Sequence, residues 1–335
     1  MSIRFAINGV GRIGRALIRV ANQRPDLELV AINDLASPEQ LAPLVARDSL
    51  HGAFPGQVTL DGDHLVLDGH RIRMFREPDI GAIPWLELGP TIVVDATGLA
   101  KTRAVAQRHR RGSVAKVVVS ANAEDLDLTL CLGINDTDYD AENHHLLSAA
   151  SCTTNCLAPM VYVLNRVFGL EHGVFNTVHS YNNDQRLLSY PHPDRRRART
   201  ATLNMIPTTT SASQAIHRVI PGFTGKLDGF AVRVPTPNVS LIDLVATLTE
   251  TPTAAEINQA YVDAAGAGLA GVLAVTDEEL VSSDFLGDPH SAIIDLPLTR
   301  EVDRCLYRVV AWYDNEWGHA SRLADLVELI GGVSQ

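Results

Sequence analysis

The sequence predicts an α/β chain in two parts: alternating strands and helices over residues 1–150, then an α+β domain over 151–315 with a mixed, largely antiparallel sheet. Three observations predict it. Thr91-Ile92-Val93-Val94-Asp95 and Lys116-Val117-Val118-Val119-Ser120 are continuous apolar runs set among helical patterns, as parallel strands covered on both faces are. Gly9, Gly11 and Gly14 stand between a strand pattern and a helix pattern. Beyond residue 150 the strand patterns lengthen, and several, such as Val239 to Leu248, alternate as a sheet with one covered face does.

Composition sets the outer limits. The chain has 335 residues, 46% of them hydrophobic and 20% charged, enough for two buried cores in an ordinary globular protein. A net charge of −11 argues against a nucleic-acid partner. Four cysteines in a chain this long do not make a disulfide framework, which points to a reducing, cytoplasmic setting. The N-terminus enters a strand pattern at once, so neither a signal peptide nor a membrane span is expected.

Taken in order, Ile3-Arg4-Phe5-Ala6-Ile7 reads as a buried strand and Ala16, Leu17 and Val20 mark the helix after it. The glycines between them form G-x-G-x-x-G in the context its mechanism requires. Glycine permits the tight turn and lets the backbone approach a pyrophosphate resting on the helix N-terminus. The next strand, Leu29-Val30-Ala31-Ile32, ends at Asn33-Asp34, and Asp34 stands where an acid binds the adenine ribose hydroxyls. A carboxylate there repels a 2′-phosphate, favouring NAD over NADP. The first domain is therefore expected to be a Rossmann-type NAD-binding domain. Asp61-Gly62 and Asp68-Gly69 predict a small antiparallel excursion within residues 35–90, and Leu99 to Arg111 a basic helix whose end, including His109, is solvated. Leu128 to Gly133 reads as a further strand.

Leu146-Leu147 then feeds Ser151-Cys152-Thr153-Thr154-Asn155-Cys156, and an amphipathic helix pattern follows. This places Cys152 at a helix N-terminus, where backbone N–H groups and the macrodipole favour a thiolate. Such a nucleophile needs a base, and His179, ending the next strand pattern, is the natural partner. No second Cys/His pair stands at zinc-ligand spacing, so no metal is expected. Tyr181 to Pro207 has no period and is rich in Arg and Pro, a length of loop uncommon unless functional. The final helical pattern, Glu316 to Ile330, is expected to return to the first domain, carrying residues 316–335 with it.

The cysteine stretch with His179-Ser180 resembles the active site of the phosphorylating glyceraldehyde-3-phosphate dehydrogenase family. Ile7 to Arg15, Ala31 to Leu35, Asp48 to Gly52, Arg233 to Ser240 and Trp312 to Gly318 extend the resemblance over the whole chain. It implies a homotetramer with the 181–207 loop at subunit interfaces. It also implies NAD contacts from Arg12, Ile13, Asp34, Ser120 and Asn315, the last at the nicotinamide carboxamide. Pro191, where members that accept NADP tend to carry Ser, supports NAD. The implied chemistry is attack of Cys152 on an aldehyde with His179 taking the proton, then attack of inorganic phosphate on the thioester. Ser151, Thr153, Arg197, Thr210 and Arg233 match the family's residues for the two phosphate groups.

Three positions depart from the family pattern: Asn182 replaces a threonine, Ser211 a glycine, and His319 a Tyr or Phe. Asp288-Pro289-His290-Ser291 and Tyr190-Pro191-His192 are similar to the erythrose-4-phosphate dehydrogenase branch, whereas Tyr181 and Asp184 to Leu188 are closer to the glyceraldehyde-3-phosphate branch. The alternatives are thus that second aldehyde or a non-catalytic binding role.

Overall fold

The computed structural model describes residues 2–333, which divide into two compact units. One takes in the chain to Leu132, Asp136–Ser151 and the described residues from Ala320 on; the other comprises Gly133–Asn135 and Cys152–His319.

In the first unit, among the described residues, nine strands form one sheet in the order Leu128–Thr129, Leu146–Ser148, Lys116–Val119, Ile92–Asp95, Ile3–Asn8, Leu27–Asn33, His70–Phe75, His64–Leu67, Val58–Asp61. The first seven run parallel, and the last two pairings are antiparallel. Ile92–Asp95 and Lys116–Val119 are buried at every residue, which explains their uninterrupted apolar runs. Strand order reverses between Ile3–Asn8 and Ile92–Asp95, and such a reversal opens a crevice at the carboxyl ends of the two strands. The helix Arg12–Ala21 follows the central strand, and Gly14 lets it pack closely: a Cβ there would lie 2.1 Å from the Gly9 carbonyl oxygen.

The expected excursion is a meander. Asp68 and Gly69, both at positive φ (49° and 87°), turn His64–Leu67 into His70–Phe75, which then joins Leu27–Asn33 in parallel. The basic helix is shorter than its pattern. Gly98 at φ 73° delays its start, and only Arg103–Ala106 and a 3₁₀ turn, Gln107–His109, are helical before Arg110 leaves at ψ 78°. His109 is not solvated but fully buried, a correction to the reading of that segment. The 128–133 strand reduces to Leu128–Thr129. The C-terminal helix is Trp317–Val333; residues 334–335 of the expected segment fall outside the described ones. Gly331 meets Ile3, and Arg24 Nη1 pairs with Asp325 (2.5 Å) and Glu328 (3.0 Å).

The second unit holds a mixed sheet in the order Ile206–Thr209, Leu227–Val234, Leu170–Ser180, Ser240–Leu248, Leu306–Tyr313, Ala292–Asp295, Leu273–Thr276, with Arg300–Asp303 added to Leu306–Tyr313. Two of its pairings are parallel and the rest antiparallel. Residues of Ser240–Leu248 alternate between buried and half-buried, the period-two pattern read in the sequence. The helix Cys152–Phe168 is buried from Thr153 through Val161, and the Tyr261 hydroxyl of helix Ala254–Gly266 donates to the Met160 carbonyl at 2.8 Å.

Candidate active site

The second unit brings the predicted thiol and imidazole together. Cys152 is the first residue of its helix, and its Sγ lies 3.6 Å from His179 Nε2 at the end of strand Leu170–Ser180. His179 Nδ1 lies 2.7 Å from the Ser180 carbonyl oxygen. A carbonyl can only accept, so Nδ1 carries a proton, and whenever the ring is neutral its lone pair faces sulfur at Nε2. Two residues upstream of Cys152, Ala150 is held at φ 57°, left-handed backbone that a non-glycine residue adopts at a cost. Cys156, one turn along, is fully buried and its thiol is pushed well up by burial.

Sequence reasoning missed what ties this pair together. Buried Tyr313 places its hydroxyl 3.1 Å from Thr153 Oγ1 and 2.8 Å from Thr177 Oγ1. It thereby joins the residue after the nucleophile to the strand that carries His179, while its ring meets the imidazole edge-on at 5.9 Å. Burial pushes the phenol above its ordinary range, so it stays neutral. Only its place in the Trp312-Tyr313-Asp314-Asn315 motif could have pointed to it.

Asn315 is 4% exposed, and its Oδ1 accepts from the Ser180 and Ser240 hydroxyls at 2.9 and 2.8 Å, which fixes the orientation of its amide. Val239, next to Ser240, is also held at positive φ (63°), genuine strain for a β-branched residue. Arg233 donates from Nη1 to the Ser180 carbonyl at 3.3 Å, and its buried Nε has no hydrogen-bond partner among the described residues. Burial pulls its pKa below the usual guanidinium value.

Arg197 is differently placed. Its Nη1 reaches Asp184 at 2.5 Å, and its Nε reaches Thr208 at 2.6 Å and Asp194 at 3.3 Å, so it braces the 181–207 loop against strand Ile206–Thr209. The Thr210 hydroxyl accepts the Ala212 N–H at 3.3 Å, and Ser211 precedes helix Ala212–Val219 as its N-cap. Asn182 Oδ1 accepts the Asp184 N–H at 3.0 Å. His319 is buried.

The first unit carries the predicted dinucleotide residues other than Asn315. Gly9 sits at φ 93°, where a Cβ would lie 2.9 Å from the Thr97 nitrogen. Gly11 is the N-cap of helix Arg12–Ala21, and a Cβ there would meet nothing within 4 Å. Lacking a side chain, Gly11 leaves the first-turn N–H end open to an anion, the arrangement a pyrophosphate requires. Arg12 and Ile13 open the helix and are half-buried. Asp34 Oδ2 accepts the Val10 N–H at 2.7 Å and Oδ1 the Ala36 N–H at 3.0 Å, so this carboxylate also fastens the glycine turn. Ser120 is tied through its N–H to the Asp95 carbonyl at 2.9 Å. Ser151 Oγ accepts from Asn122 Nδ2 at 3.3 Å.

Residues 151–315 match the family model described as "Glyceraldehyde 3-phosphate dehydrogenase, C-terminal domain", and residues 3–103 match its "NAD binding domain". The chain belongs to the glyceraldehyde 3-phosphate dehydrogenase family. It is 46% identical over 330 residues to "Glyceraldehyde-3-phosphate dehydrogenase 1" of Bacillus subtilis, covering 98% of both chains. Relatives of the same name from Geobacillus stearothermophilus (46% over 330 residues, 98% of both chains) and Zymomonas mobilis (48% over 329 residues, 97% of both chains) agree. The chain is an NAD-dependent oxidoreductase of this family. No helix among the described residues is long and apolar enough to cross a membrane.

Proposed function

We propose that this protein oxidises glyceraldehyde 3-phosphate to 1,3-bisphosphoglycerate through a thioester on Cys152, with inorganic phosphate as the acyl acceptor. The observation that carries this reading is the Cys152–His179 pair, with Sγ 3.6 Å from an imidazole nitrogen whose ring is oriented by the Ser180 carbonyl. His179 Nε2 takes the thiol proton, Sγ attacks the aldehyde carbon, and the imidazolium with the Cys152 N–H stabilises the oxygen that becomes negative. NAD supplies the acceptor for the electron pair whose removal makes the thiohemiacetal a thioester. The imidazolium first gives its proton to that oxygen, forming the thiohemiacetal hydroxyl, and the neutral His179 takes the same proton back as the electron pair departs. Phosphate oxygen then adds to the thioester carbon, the C–S bond breaks, and Cys152 leaves as the thiolate.

Gly9, Gly11 and Gly14 with Arg12 and Ile13 would hold the pyrophosphate, Asp34 the adenine ribose, Ser120 the cofactor further along, and the Asn315 NH₂ the carboxamide oxygen. Arg233, with one buried donor unmatched, is the main ligand for a phosphate group. Arg197 contributes only as it shares itself with Asp184 and Asp194, and Ser151, Thr153 and Thr210 supply hydroxyls. Leu187, Leu188, Tyr190, Leu203 and Met205 are all exposed in one loop, which supports a homotetramer built across it. Sedimentation would reveal a monomer if that is wrong.

Assays with glyceraldehyde 3-phosphate and erythrose 4-phosphate, each with and without inorganic phosphate, test the function. Phosphate-dependent NAD reduction with the triose is expected. Phosphate-independent turnover of the tetrose alone would transfer the protein to the second branch, and NAD binding without turnover of either aldehyde would make it a binding protein.

A further inference from the structure

A buried polar cluster that the chemistry above does not use lies at the carboxyl ends of the parallel strands in the first unit. The Glu77 N–H donates to Asn33 Oδ1 at 2.9 Å, Asn33 Nδ2 to Asn8 Oδ1 at 2.8 Å, and Asn8 Nδ2 to Asp95 Oδ2 at 2.8 Å. From the other side the Trp85 indole N–H donates to His109 Nδ1 at 3.3 Å, which leaves the His109 Nε2–H to donate to the same Asp95 oxygen at 3.0 Å. The other Asp95 oxygen accepts the Thr97 hydroxyl at 2.6 Å and the Thr97 N–H at 3.1 Å. Asn8, Asn33, Asp95 and His109 are all 4% exposed or less.

Every bond in this chain has one possible direction. A backbone N–H and an indole N–H can only donate, so each amide and the imidazole in turn must accept at one end and donate at the other. Both arms converge on Asp95, and only an ionised carboxylate can accept from all of them. Burial works to push the Asp95 carboxyl up, but the bonds from His109, Thr97 and Asn8 outweigh it and hold it below the ordinary range. The chain crosses the crevice where the strand order reverses, and it fixes the walls of that crevice. Asn8 directly precedes Gly9, and a Cβ on Gly9 would strike Thr97, so the glycine turn and the Thr97 turn are in contact.

We propose that Asp95, with His109, Asn8 and Asn33, is a positioning device that sets the glycine turn and the Thr97 turn in their dinucleotide-binding geometry before the cofactor arrives. None of the four needs to touch the cofactor for this. Asp95→Asn keeps the shape but puts an NH₂ where only acceptors fit: turned one way it faces the donors of Asn8 and His109, turned the other it faces the Thr97 N–H. Neither amide can flip in response, because the Glu77 N–H fixes the direction of both.

The test is calorimetric titration of NAD into the intact protein, with steady-state kinetics alongside. Asp95→Asn is expected to weaken NAD binding at least tenfold and raise KM for NAD in step. The kcat at saturating NAD and the KM for the aldehyde should stay within twofold, a split that general loss of structure would not produce. Asn8→Asp combined with Asp95→Asn returns a carboxylate to the chain one strand over, and it should bind NAD at least threefold more tightly than Asp95→Asn alone. A folded Asp95→Asn protein that binds NAD within twofold of wild type overturns the proposal, as does a double variant no better than the single. Should Asp95→Asn not fold, Asn8→Ala cuts the same chain at its middle. A loss of fivefold or more in NAD affinity then supports the proposal, and a change within twofold overturns it.

Discussion

The buried polar groups beneath the glycine turn and those around the reactive thiol are treated in opposite ways. Under the glycine turn of the first unit, Asn33, Asn8, Asp95 and His109 match one another donor for acceptor, and the backbone at Gly11 is open. In the second unit Arg233 keeps a buried Nε without a partner among the described residues, and Val239 holds left-handed backbone beside Ser240. A buried donor left unmatched costs about 1–3 kcal/mol, more when charged. The difference teaches where each site finds its affinity. In the proposed function the first would receive its ligand by backbone contact, whereas the second would be completed by an anion.

The largest expected effect comes from the chemistry the second unit is built around. His179→Asn removes the base while leaving an amide in its place, and the rate of the oxidation step should fall by roughly two to four orders of magnitude. Stopped-flow absorbance of NADH formation measures it, and a change under tenfold would remove His179 from the mechanism. Next is Arg233→Leu, which takes away the open donor. KM for the phosphorylated aldehyde should rise about 10- to 100-fold with kcat less affected, the size of one or two charge-assisted bonds. An unchanged KM would mean that Arg233 does not take an anion.

A smaller effect belongs to the first unit. Asp34→Ala removes a ribose ligand and a charge that repels a 2′-phosphate, so NAD should bind several-fold more weakly and the preference over NADP should narrow. Wild-type protein that uses both cofactors equally contradicts the assignment. The smallest effect is expected from Asn182→Thr with Ser211→Gly, which restores the family pattern around the phosphates. Michaelis constants for the aldehyde or inorganic phosphate should drop by a few-fold while kcat holds, and a change in kcat alone would detach these positions from anion binding.

What could be read in the sequence follows the same division. Gly9, Gly11, Gly14 and Asp34 were legible because backbone approach and strand-end carboxylates leave fixed spacings along the chain. Cys152 was legible from its place ahead of an amphipathic helix, and His179 as the end of the next strand. The rest depends on which residues meet across elements. His109 stands among Arg108, Arg110 and Arg111 and reads as solvated, yet it turns inward to Asp95 because Trp85 and a buried carboxylate need it. Tyr313 looks like one more apolar strand residue until Thr153 and Thr177 close on its hydroxyl. Arg197 reads as a cation for phosphate, and no periodicity announces that Asp184 and Asp194 already hold it.

The central claim is that Cys152 is the reactive thiol and that His179 makes it so. Partial alkylation with iodoacetamide at pH 7, followed by peptide mapping of wild type and His179→Asn, tests it directly. Burial pushes Cys131 up to about 12 and Cys156 well above the ordinary thiol value, and a raised thiol pKa means a neutral, unreactive group at every pH far below it. Cys305 is exposed but lies in the turn before strand Leu306–Tyr313, away from any helix N-terminus. The predicted result is label chiefly on Cys152 in the wild type, slowed at least tenfold in His179→Asn while the rate at Cys305 is unchanged. Label found first on Cys156 or Cys305, or a Cys152 rate indifferent to the loss of His179, would contradict the account.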